Sequence, residues 1–241
     1  MLPVRPASRG GVGDISRPAG QRRFKSLPGL QRPMTDGEPP SGPVPAGPGE
    51  HPLRIGIVLG STRPGRLGEG VARWVLGIAS RRTDAAFELV DLLEYPLPHL
   101  DEPIPAAAGR YAHDHTKAWS AKIASFDGYV FVTPEYNHST SGVLKNAIDF
   151  LHAEWNNKAA GFVGYGAAGG VRAVEHLRLV LAELQVATVR AQGALYLGTD
   201  FVDRRKLQPD PMRERSVVAM LDQLVAWSRA LRTVRGPAGP T

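Results

Sequence analysis

The chain has 241 residues, a formal net charge of +6 and no cysteine. The missing cysteines exclude disulfides and thiolate chemistry, and no run of about 20 apolar residues is present to span a bilayer. The mild positive charge gathers into no basic stripe with interleaved aromatics, which argues against a nucleic-acid module.

Residues 1–52 hold 11 of the 21 prolines and 9 of the 27 glycines, with no apolar periodicity. Such a stretch buries too little apolar surface to offset the entropy of ordering it, and is read as a disordered extension. Arg22, Arg23 and Lys25 precede no apolar segment, so no targeting signal is read and a cytoplasmic location is expected. Met34 is a candidate alternative start. From residue 53 to 235 the pattern changes to apolar runs and amphipathic segments, the mark of a single domain, with a short disordered tail at 236–241.

Within that domain the runs alternate. A strand at 54–59 leads through a polar loop into a helix over about 67–82. A strand at 87–91 precedes a proline-rich stretch and a helix over about 111–124. The buried run GYVFV at 128–132 is a third strand, followed by the loop TPEYNHSTS and a helix over about 142–153. A strand at 159–165, a helix over 171–184, a strand at 187–190 and a last helix over about 213–231 complete the series. Five apolar strands alternating with helices predict an α/β fold: a doubly wound, five-stranded parallel sheet with helices on both faces. The flavodoxin-like order 2-1-3-4-5 suits five strands, and in it ligands bind beyond the carboxyl ends of the strands.

The loops at three of those ends carry unusual chemistry. After strand one comes GSTRPGR, where a helix N-terminus offers unpaired N–H groups and partial positive charge to an anion. Ser61 and Thr62 add hydroxyls, and Arg63 and Arg66 add guanidinium forks suited to phosphate oxygens. The loop lacks the Gly-Lys-Ser/Thr ending of a P-loop and the G-x-G-x-x-G of a dinucleotide fingerprint. The alternative is a solvated strand–helix turn with its arginines in water. After strand three lie Pro134, Glu135, Tyr136 and Asn137, and after strand four Gly166, Ala167, Gly169 and Gly170. Glycines there let backbone approach a flat ligand closely, and Tyr136 offers an aromatic face.

With these motifs the chain resembles the NADPH-dependent FMN reductases, the flavodoxin-like group that includes azoreductases and quinone reductases. The resemblance covers about residues 54–195 and rests on GSTRPGR, LDEP at 100–103, TPEYN followed by SGVLKNAIDF, EW at 154–155, and YGAAGG. It implies FMN as cofactor and NADPH or NADH as electron donor. It places the phosphate against Ser61, Thr62, Arg63, Arg66 and the amides through Leu67 and Gly68, and the ring on Pro134–Asn137 and the Gly166–Gly170 loop. It further implies a small-molecule electron acceptor (a quinone, azo compound, metal ion or free flavin) and a homodimer or homotetramer. Leu67 stands where many members carry a hydroxyl or amide, so contact there falls to the backbone or to Arg66. Ser141 replaces the usual proline before the third helix, and Phe150 the usual tryptophan.

No side chain is assigned as catalytic, because a flavin carries the chemistry. Lys145, Asn146 and Asp149 read as surface or capping groups; Glu135 has Arg63, Lys145 or a partner subunit as candidate partners. Trp155 and Tyr165 border the ring, lie in an interface, or simply pack. The scattered histidines lack metal-ligand spacing, so no metal is assigned. Two other readings remain: a flavodoxin-like electron carrier, against which the positive charge argues, and a non-catalytic flavin-binding module.

Overall fold

Apolar runs become a parallel sheet when both of its faces are covered, and the strand burial follows that rule. The computed structural model describes residues 51–235; the predicted extension, except for its last two residues, and the tail at 236–241 lie outside the described part. The strands are β1 (Leu53–Leu59), β2 (Ala85–Asp91), β3 (Gly128–Pro134), β4 (Ala159–Gly166) and β5 (Ala187–Tyr196). They pair in parallel in the order β2-β1-β3-β4-β5, the order predicted from the sequence. Every residue of β3 and β4 is buried, while the edge strands β2 and β5 are mostly half-exposed.

The helices are α1 (Gly68–Ala79), α2 (Asp114–Ala124), α3 (Gly142–Asp149), α4 (Val171–Glu183) and α5 (Pro211–Arg235). One face of the sheet packs on α1 and α5 through Val71, Val75, Ile78, Met220, Leu221 and Leu224. The other packs on α2, α3 and α4 through Trp119, Ile123, Leu144, Ile148, Leu177 and Leu181. Each helix places its buried residues three and four apart, the spacing of one helical stripe.

Two stretches differ from the sequence reading. β5 runs six residues past Arg190, to Tyr196, and a short hairpin, β6 (Phe201–Val202) with β7 (Lys206–Leu207), follows it. Their residues are mixed polar and apolar, so no buried-strand signal marks them.

The register aligns the carboxyl ends. Leu59 pairs with Val132, Pro134 with Tyr165, and Gly166 with Tyr196. The loops leaving β1, β3, β4 and β5 therefore emerge along one edge of the sheet.

Candidate functional site

The loop after β1 is built as a turn and an uncapped helix start. Arg63–Arg66 closes by an Arg66 N–H bond to the Arg63 carbonyl (3.1 Å), with Pro64 second and Gly65, at φ +68°, third. Proline followed by a residue at positive φ is the arrangement of a type II turn. A side chain at Gly65 would meet nothing within 4 Å, so the loop faces open space. Leu67 occupies the N-cap of α1 and makes no side-chain cap bond. The first-turn N–H groups of a helix have no intrahelical acceptor, and here the N-cap residue supplies none. Gly68, the first helical residue, is buried; a Cβ there would lie 2.6 Å from the Tyr165 hydroxyl.

Ser61 is buried, its Oγ 3.2 Å from the Tyr136 hydroxyl, so the first and second loops touch. Thr62 is half-buried and Arg63 exposed. Arg66 is not a free fork: its guanidinium donates to both carboxylate oxygens of Asp91, at the end of β2, and to the Ser61 carbonyl (2.7 Å). Burial alone would raise the Asp91 carboxyl, but the Arg66 hydrogen bonds, the Leu93 N–H and the Arg66 charge together outweigh it and hold it below its ordinary value. Arg66 shapes the loop from behind.

The second loop leaves β3 at the buried Pro134 and turns tightly. Tyr136 and Ser139 exchange backbone hydrogen bonds (2.9 and 3.1 Å) around Asn137 and His138, both at positive φ (47° and 71°). Two consecutive left-handed residues define a type I′ turn, which suits Asn better than His. Glu135 has neither of its expected partners within the chain. It ion-pairs with Arg172, and its second oxygen accepts the Arg172 backbone N–H (3.2 Å) in the first turn of α4. The glutamate thus ties the second loop to the helix that follows the third. Burial opposes ionisation there, and the hydrogen bonds from Arg172 overcome it, so its carboxyl is held down.

In the third loop Ala167 is exposed while Gly166, Gly169 and Gly170 are buried. Gly170, at φ +70°, is the N-cap of α4, and any side chain on it would collide with the backbone of Gly164 and Tyr165. Only glycine fits both demands. All three loops meet at one edge.

Several readings of single residues become definite. Trp155 is fully buried, donating to the Ile148 carbonyl (3.1 Å), and Tyr165 is buried beneath the first loop; burial raises its phenol, so it stays neutral. Lys145 pairs with Asp149, and Asn146 pins the proline-rich stretch through the Pro98 carbonyl (2.7 Å) and the Leu100 N–H (3.0 Å). Ser141, in place of proline, caps α3 at Leu144 N and donates to the Gly60 carbonyl, joining the first and third strands' loops. In LDEP, Glu102 accepts the Ala112 and His113 N–H groups (2.8 and 3.1 Å) at the start of α2, a scaffold role. Among the described residues no group of His, Asp and Glu is arranged to hold a metal, and no helix is long and apolar enough to cross a membrane.

The profile of the NADPH-dependent FMN reductase family matches residues 53–200, which take in all three loops. The chain belongs to that family. Its relatives include an NAD(P)H-dependent FMN reductase of Schizosaccharomyces pombe, 39% identical over 158 residues that cover 65% of this chain and 79% of the relative. A 2-hydroxy-1,4-benzoquinone reductase of a Burkholderia species is 30% identical over 191 residues, covering 75% of this chain and 98% of the relative. Among solved structures, the flavoenzyme NAD(P)H:(acceptor) oxidoreductase FerB of Paracoccus denitrificans superimposes with a TM-score of 0.58 at 22% identity. That match covers 74% of this chain and 98% of FerB, and shows a shared fold. What the sequence did not reveal of the candidate site are its braces: Asp91 behind Arg66 and Arg172 beside Glu135, partners 25 and 37 residues away.

Proposed function

We propose that the chain is an FMN-dependent NAD(P)H oxidoreductase that passes electrons to a small quinone-type acceptor. One observation carries this reading: α1 begins without a side-chain cap, in an open turn beside Ser61, where two further loops converge. Phosphate is the anion such a helix start fits, and a flat heterocycle is the ligand that two close-approaching backbone loops fit.

FMN, when bound, supplies the hydride and electron transfer. The protein's own part is to hold and shape. The Ser61 and Thr62 hydroxyls, the exposed Arg63 and the first-turn N–H groups of α1 bind the phosphate, while Arg66, braced by Asp91, fixes the loop. Pro134, Glu135, Tyr136 and Asn137 present backbone and one aromatic ring to the heterocycle on one side. Gly166, Ala167, Gly169 and Gly170 present backbone on the other. The glycines are required there because their Cβ positions are filled by Glu135, the Tyr196 ring and the β4 backbone, which lets the loop fold tightly rather than opening space for the ligand. Backbone N–H groups from these loops stabilise negative charge at the heterocycle's polar edge. NADPH or NADH donates, and the quinone reductases among the relatives support a quinone as acceptor. A homodimer or homotetramer is the assembly we assign, to be read by gel filtration.

The test is the visible spectrum of purified protein reconstituted with FMN, before and after anaerobic NADPH. Flavin bands that appear and then bleach are expected. Bands that persist would mark a carrier or binding module, and protein that takes up no FMN would sink the reading.

A further inference from the structure

We propose that Tyr196, at the end of β5, is a positioning residue that sets the height of the Gly166–Gly170 loop against the flavin, with Arg213 of α5 and Asp200 fixing its ring. The inference rests on the FMN reading above and adds a fourth strand end to the site.

The contact is specific. Gly169 holds φ +70°, and a Cβ on it would lie 2.8–3.0 Å from three carbons of the Tyr196 ring, so the ring packs directly on the glycine. The backbone reinforces the contact: the Gly166 carbonyl accepts both the Gly169 N–H (3.2 Å) and the Leu197 N–H (3.1 Å). The loop is therefore tied at one carbonyl by Leu197, just past β5, and backed at the next glycine by Tyr196, the last residue of β5.

Tyr196 is itself held from two directions. The Arg213 guanidinium lies 5.1 Å from the ring centroid, within cation–π range. The Asp200 carboxylate, 1% exposed, accepts the Tyr196 N–H (2.7 Å) and the Arg213 Nε–H (3.1 Å), binding strand end and helix to one buried anion. A flat ring in a fixed place beneath a glycine is a mechanical stop. A bulkier or absent ring would move the loop by fractions of an ångström, the scale on which ligand positioning fails.

The experiment measures FMN dissociation by quenching of its fluorescence, and the midpoint potential of the bound flavin. Wild type is compared with Tyr196→Phe, Tyr196→Leu and Arg213→Met. Tyr196→Leu is expected to bind FMN about tenfold more weakly and to shift the potential, because the loop's N–H groups move relative to the ring. Tyr196→Phe, which keeps the contacting ring, is expected within about twofold of wild type. Should Tyr196→Leu fail to fold, Arg213→Met keeps the ring and is expected to weaken FMN about threefold in the same direction. Wild type that binds FMN while these variants share its affinity and potential, or lose only thermal stability, overturns the assignment alone. Wild type that takes up no FMN overturns the flavin reading and this assignment with it.

Discussion

At the residue scale, the site depends less on the groups that face a ligand than on the carboxylates behind them. Asp91 is the clearest case, since the Arg66 and Asp91 side chains are only 8% and 18% exposed and form a bidentate pair. Breaking a pair this enclosed leaves a desolvated guanidinium, at a cost of roughly 1–3 kcal/mol. Asp91→Asn is expected to lower the urea midpoint accordingly and to weaken FMN binding several-fold, because Arg66 also holds the Ser61 carbonyl. The pH dependence has a definite sign. The folded carboxyl is held below its ordinary value, so the folded state binds fewer protons than the unfolded one. The pair stabilises the fold above about pH 4 and loses that contribution as the pH falls through the lower folded value. Urea unfolding between pH 7 and pH 3 should show a shallower loss in Asp91→Asn than in wild type.

At the element scale, helices α2 and α4 begin without a side-chain cap of their own; α4 borrows one from afar, and the chain entering α2 is pinned from afar. Glu135 accepts the Arg172 N–H in the first turn of α4, whereas Glu102 accepts the N–H groups of Ala112 and His113, the two residues that lead into α2, from ten and eleven residues upstream. Against the opposing effect of burial, hydrogen bonds such as those from the Ala112 and His113 N–H groups bring the Glu102 carboxyl down to about 2. Glu102→Gln should cost about 1 kcal/mol, the loss on replacing a charged acceptor of backbone N–H groups by a neutral one. That difference is present above the ordinary glutamate value and fades as the pH drops toward 2, which thermal melts at pH 7 and pH 3 would measure. Such distant partners also explain what the sequence left unread. The strands β1, β3 and β4 were legible because burial on both faces writes a continuous apolar run. The end of β5 was not, because an edge strand mixes polar and apolar residues, and with it went Tyr196. The three loops were legible as motifs, but partners such as Asp91 and Arg172 were not, since sequence distance carries no signal of contact.

At the scale of the whole molecule, the two ends of the sheet are built differently. The carboxyl end carries the loops; the amino end holds a buried lysine. Lys158, just before β4, is 5% exposed and directs Nζ at the carbonyls of Ile123 (3.0 Å) and Ala124 (3.2 Å) and at the Tyr129 hydroxyl (2.9 Å). It closes the last turn of α2 against β3 and β4. Burial, with the Arg235 charge adding to it, pushes the ammonium down to about 7. An unfolded lysine titrates near 10.4, so between about pH 7 and pH 10 the unfolded chain binds the extra proton and stability rises with pH. Lys158→Met removes that linkage. Urea unfolding at pH 7 and pH 9.5 should show wild type gaining stability relative to the variant as the pH rises. FMN affinity should be the same in both proteins, because the substitution lies at the far end of the sheet from the three loops. A variant that lost FMN while keeping its fold would mean that the two ends of the sheet are coupled through β3 and β4, the strands that reach both.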